Sequence, residues 1–218
     1  MNIIEAIIKF NKQLIIYISG LPGSGKTFQG KQLSKDLKIN VIYINDYYKE
    51  YQEREKYISD NTTDTNNNDI LDTIDDIKLQ NDKYVKNQYS TKLLDIEKLN
   101  QDIDKLKSNG LIISGFPLPK DIINATIDFH IHISINQTTY IEYQQKKKNP
   151  LDINDIELKY HKVIKPYYMN IIQNLNINKF INLKKFESKE KLYDEIWNLS
   201  IDYIQKWLKK KNSDCSFK

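Results

Sequence analysis

Eight consecutive residues, Gly20-Leu21-Pro22-Gly23-Ser24-Gly25-Lys26-Thr27, restrict the folds open to this chain more than any other feature. They satisfy the pattern G-x-x-x-x-G-K-[ST] in full. They follow the apolar, β-branched run Leu14-Ile15-Ile16-Tyr17-Ile18 and precede a helical stretch, 27–37, that carries Phe28, Leu33 and Leu37. The residue types have physical reasons: glycines let the backbone wrap so that N–H groups point inward, and the helix N-terminus that follows adds a positive end for polyphosphate. Lys26 is placed to reach the β- and γ-phosphates of ATP, and Thr27 to ligate Mg²⁺. Gly20 through Phe28 is therefore the expected nucleotide-binding segment, with ATP and Mg²⁺ as cofactors.

A loop of this kind requires a parallel sheet, and the rest of the chain supplies one. Val41-Ile42-Tyr43-Ile44, Leu111-Ile112-Ile113, Phe129-His130-Ile131-His132-Ile133 and Lys179-Phe180-Ile181-Asn182-Leu183 read as further strands. Helical patterns lie between them, at 95–108 with Ile96, Leu99, Ile103 and Leu106, and at 188–209 with Leu192, Ile196, Leu199, Ile204 and Leu208. Strands alternating with helices predict a doubly wound α/β domain with right-handed crossovers; the expected sheet has five parallel strands in the order 2-3-1-4-5, flanked by helices. One domain over residues 1–212 is expected, with a short lid near 146–155, a polar loop at 59–69 and a tail at 213–218. The N-terminal segment Met1–Lys12, with Ile3, Ile4, Ile7 and Ile8, reads as a packing helix rather than a signal peptide.

Composition narrows the function classes. No apolar run is long enough to span a bilayer. Cys215 is the single cysteine, so neither a disulfide framework nor a cysteine metal site can be built, and a cytoplasmic protein is expected. The net charge is +4, and 32 of the 33 basic residues are lysines interleaved with acids, so charge does not signal a nucleic-acid partner.

A phosphotransferase also needs an acceptor side, and in open α/β sheets ligands sit at the carboxyl ends of strands. Asp46 stands just after the second strand, where it could take an acceptor's proton or order Mg²⁺; the plain alternative is a cap for the following helix. Tyr47 and Tyr48 beside it read equally as pocket or core aromatics.

With these residues in place, the chain resembles the uridine-kinase-like nucleoside kinases of the P-loop superfamily. The likeness rests on the loop, on Asn45-Asp46-Tyr47-Tyr48-Lys49, on Ser90 to Ile96 mainly at Asp95, on Ile127 to Ile133, and on Pro166-Tyr167-Tyr168 with Asn178 to Asn182. It implies transfer of the ATP γ-phosphate to a hydroxyl of a nucleoside or similar small molecule. Lys26 and Asp46 would be catalytic, Thr27 and Asp46 at the metal, and Tyr47, Tyr48, Asp95, Lys146 and Lys147 at the substrate.

The sequence departs from that group in three places. Asn45 rather than Asp46 aligns with the group's aspartate, Ser114 stands where a glutamate is usual at the end of the third strand, and Arg54 is the only arginine. Ser114 could hold a metal-bound water. Lys146-Lys147-Lys148 could replace the lid arginines without their bidentate geometry, or serve only as a solvated helix end.

Two other readings stay open. An adenylate-kinase-like nucleoside monophosphate kinase is supported by Pro22 to Lys26 with Gln29 and by Gly115-Phe116-Pro117, and opposed by the shortage of arginine forks. A catalytically degenerate ATP-binding protein fits the displaced aspartate and Ser114. His130 and His132 face the same side of a strand and read as a satisfied pair rather than metal ligands, and His161 as a lid or helix residue. Asp69, Asp72, Asp75 and Asp76 read as the solvated face of a helix.

Overall fold

The computed structural model describes residues 14–48, 76–78, 84–86, 89–147, 151–185 and 188–215, with backbone alone at 76–78, 84–86, 185 and 208–215. The segment Met1–Lys12, the loop 59–69, Lys49, Arg54, Lys148 to Pro150, Asp69, Asp72 and Asp75 lie outside the described residues.

Five strands form a parallel sheet: β1 (Ile15–Gly20), β2 (Asn40–Tyr43), β5 (Leu111–Gly115), β6 (Phe129–Ser134) and β7 (Lys179–Asn182). Their order across the sheet is β2-β5-β1-β6-β7, which is the expected 2-3-1-4-5 counted within this sheet. β1 is the central strand, in register with β5 through Ile15↔Leu111 and with β6 through Tyr17↔His130. All six of its residues are buried, which is why it reads as an unbroken apolar run.

The pleat divides that run between two cores. Leu14, Ile16 and Ile18 join Leu33 and Leu37 of α1 (Lys26–Leu37) and Leu192, Ile196 and Ile204 of α6 (Lys189–Cys215) on one face. Ile15 and Tyr17 join Leu99 and Ile103 of α2 (Ile96–Leu106) on the other. A third cluster packs Leu21, Tyr89 and Phe116 against α3 (Gln137–Gln145), α4 (Ile153–Lys159) and α5 (Lys165–Gln173). Between α4 and α5 lies a π-helical turn, Tyr160–Ile164, which carries His161.

Two expectations change. Asp76 lies in a short strand, β3 (Asp76–Lys78), paired antiparallel with β4 (Tyr84–Lys86), and not on a helix. Ile77 sits centrally in that pair, so here β-ladder bonding overrides the helical spacing of the acids. The last helix also runs beyond the expected tail boundary at 213, to Cys215. No helix among the described residues is long and apolar enough to cross a membrane.

Candidate active site

The loop joins β1 to α1 at the point where strand order reverses, with β5 on one side of β1 and β6 on the other, which is where open α/β sheets bind ligands. Gly23 and Gly25 hold φ of +90° and +80°, values that disfavour any side chain. A Cβ at Gly25 would meet nothing within 4 Å, and α1 begins there with no side-chain cap, so the first turn presents backbone N–H groups to open space. Ser24 is fully buried and its Oγ has no hydrogen-bond partner. An uncapped helix start, an open glycine cradle and an orphaned hydroxyl together fit a phosphate group.

Lys26 is 6% exposed and its Nζ donates to the carbonyl of Leu21 at 3.3 Å. Burial lowers its pKa from 10.5 to about 8. Thr27 is exposed beside it, so its hydroxyl is the group that could hold Mg²⁺.

A cavity of about 590 Å³ opens over this loop, lined by Pro22, Gly23, Gly25, Lys26, Thr27 and Phe28. Its far end is walled by Asn45 and Phe116 just past the carboxyl ends of β2 and β5 and by Tyr89 from the segment before α2, and its roof by Thr139, Glu142, Tyr143, Lys146 and Lys147 from α3 and the turn after it. Lys189 completes it beside Phe28, with its ammonium 5.8 Å from the Phe28 ring centre and its carbonyl held by Gln29 Nε2 at 3.0 Å. Tyr89 and Phe116 stack at 4.4 Å with planes 2° apart. Tyr143 packs directly on Gly23.

Lysine dominates the electrostatics. Lys26, Lys146, Lys147 and Lys189 line the cavity against one carboxylate, Glu142, among the described lining residues. Burial lowers the pKa of Lys147, and Lys159 is pushed down to about 8 by burial and by the charge of Lys147.

Of the residues anticipated from sequence, Pro22, Gly23, Gly25 through Phe28, Lys146 and Lys147 meet at this cavity, with Gly20, Leu21 and Ser24 buried behind the loop. The others stand elsewhere. Asn45, not Asp46, lines the cavity, because the chain turns into a 3₁₀ helix at Ile44–Tyr47 and the two neighbours leave it in different directions. Tyr47 donates to Asp102 Oδ2 at 3.0 Å and Tyr48 to the carbonyl of Tyr89 at 3.2 Å, and both pack against the α2 core. Asp95 caps α2, accepting from the Lys98 N–H at 3.0 Å. Ser114 Oγ donates to the carbonyl of Lys26 at 3.1 Å, and its small side chain lets Gly30 approach β5.

Sequence reasoning did not single out Tyr89, Thr139, Glu142, Tyr143 or Lys189 as site residues. Phe116 carried a signal in Gly115-Phe116-Pro117; the others are ordinary surface-helix and loop residues brought over the P-loop by tertiary packing.

The chain is 30% identical over 213 residues to the protein named Adenylate kinase 2 from Plasmodium falciparum, a match that takes in 92% of this chain and 70% of that one. No family model matches it. Among solved structures, a provisionally named fructose transport system kinase from a Silicibacter species has a TM-score of 0.52 at 11% identity, covering 83% of this chain and 98% of that one. A provisionally named uridine kinase from Bacillus stearothermophilus has a TM-score of 0.47 at 15% identity, covering 82% and 97%. The loop, the strand order and the extended sequence match agree: this chain is a phosphotransferase-type P-loop kinase and belongs to the family of that adenylate kinase.

Proposed function

We propose that this protein transfers the terminal phosphoryl group of ATP to a small acceptor that already carries a phosphate, a nucleoside monophosphate. The observation that carries this reading is the lining of the cavity: four lysines, Asn45 at the end of β2, and Glu142 as the single carboxylate among the described residues. A hydroxyl acceptor must lose a proton as it attacks and needs a positioned base. A phosphate oxygen is already ionised at neutral pH, so its attack needs charge neutralisation and alignment instead, which lysines supply. The adenylate in the name of the matched relative agrees with an acceptor of this class.

The backbone N–H groups at Gly25 and the ammonium of Lys26 would hold the ATP phosphates, with the Ser24 hydroxyl behind them. Thr27 would hold magnesium, which when bound would supply positive charge to the transferring phosphoryl group. Lys146 and Lys147 would neutralise the transferring group. Asp46 has no part in this scheme.

The test is ATP consumption by the purified protein with Mg²⁺ against AMP, other nucleoside monophosphates, nucleosides and no acceptor. Turnover with a monophosphate is the expected result, and an Asp46→Asn protein should keep kcat within about twofold of wild type, since an exposed side chain away from the cavity contributes little. Turnover with nucleosides alone would instead favour the hydroxyl-acceptor reading, with Glu142 as the candidate base because it is the carboxylate on the cavity wall. ATP binding without turnover would leave a nucleotide-binding protein.

A further inference from the structure

A buried polar chain runs from β1 across β6 to α5. Ser19 Oγ lies 2.7 Å from His130 Nε2 and 2.7 Å from His132 Nδ1, and His132 Nε2 lies 2.5 Å from the hydroxyl of Tyr168. Ser19 and His132 are 0% exposed and His130 3%. Burial holds the His130 pKa at about 4, and burial with the neighbouring His130 and Lys26 holds that of His132 at about 3, so both imidazoles are neutral at pH 7, with one donor and one acceptor nitrogen each.

The partners then decide the direction of every bond. The backbone of Asn176 favours an N–H on His130, and because Nε2 faces Ser19 that proton belongs on Nδ1. His130 Nε2 therefore accepts from Ser19, Ser19 accepts from His132 Nδ1–H, and His132 Nε2 accepts from Tyr168. The Tyr168 hydroxyl can satisfy this chain only as a donor. Tyr168 in turn meets Phe116 edge to face, with ring centres 6.3 Å apart, and Phe116 stacks on Tyr89 at the cavity wall.

We propose that Tyr168 is a positioning residue for the acceptor: anchored through His132, its ring edge fixes Phe116 and hence the Tyr89–Phe116 wall against which the acceptor packs. The inference rests on the phosphotransferase reading of the cavity and concerns only its acceptor half, since the donor half is built by the P-loop, Phe28 and Lys189.

The test compares wild type, Tyr168→Phe, His132→Leu and the double variant, measuring acceptor KM, kcat, ATP affinity by calorimetry and melting temperature. Tyr168→Phe keeps the ring and removes one hydrogen bond, so the acceptor KM should rise about fivefold while ATP affinity and kcat stay within twofold. His132→Leu should give a similar rise and the double variant no further one, because both changes cut the same bond. A lowered melting temperature with unchanged acceptor KM, an equal loss for ATP and acceptor, or additive effects in the double variant would overturn the proposal. If wild type prefers nucleosides to monophosphates, the acceptor reading fails but the nucleoside KM still tests Tyr168. If it binds neither, both fail.

Discussion

Replacing Lys26 by methionine should make the nucleotide-free protein more stable while damaging its function. In the folded chain the ammonium is 6% exposed, and burial lowers its pKa from 10.5 to about 8. The unfolded chain thus binds this proton more tightly than the folded one, which at pH 7 opposes folding by about 3 kcal/mol. The hydrogen bond to the Leu21 carbonyl returns about 1 kcal/mol. Lys26→Met removes both, so urea denaturation without nucleotide at pH 7 should show a gain of about 2 kcal/mol. The sign also sets a pH signature. Because the folded pKa is depressed, wild-type stability from this group rises between about pH 8, where the folded chain loses the proton, and pH 10.5, where the unfolded chain does; the variant should lack that rise. With ATP the order reverses, since the charge that opposes folding serves binding: Kd should increase roughly a hundredfold, the loss of a charge-assisted interaction of about 3 kcal/mol. A variant that is no more stable than wild type without ATP, or that shows the same rise between pH 8 and 10.5, would refute the reasoning.

The glycines of the loop should separate by what surrounds them. Gly25→Ala, at φ +80° with nothing within 4 Å, should cost about 1–2 kcal/mol of backbone strain. Gly23→Ala adds a Cβ placed 2.8 Å from Tyr143 Cβ and should cost clearly more in the same denaturation assay; equal losses would show that the Tyr143 contact carries no energy. Ser114→Ala should cost about 1 kcal/mol, for the bond to the Lys26 carbonyl, and leave kcat within twofold. Loss of turnover without loss of stability would return Ser114 to the chemistry, as the holder of a metal-bound water.

The sequence by itself determined the glycine-rich loop between β1 and α1. Residues 20–28 are contiguous, and their conformation follows from local causes: glycines at positive φ, a strand before and a helix start after. The central strands were legible for a related reason, since β1, β5 and β6 are buried runs, whereas β2 and β7 each bury a single residue and read more weakly. The acceptor half was not. One residue of register separates Asn45 from Asp46, and the 3₁₀ turn at Ile44–Tyr47 puts Asn45 on the cavity wall, a backbone choice that side-chain pattern does not report. Tyr47, Tyr48 and Asp95 are residue types equally at home in a pocket, a core or a helix cap, and the surroundings of α2 committed them to the latter two. Glu142, Tyr143 and Lys189 lie 119 or more positions after Gly23 yet share its cavity, because α3 and α6 return across the ends of the strands. The histidines show the same division: their period-two spacing placed them on one face, but only the approach of Ser19 from β1 and Tyr168 from α5 gave them partners, a direction and a use.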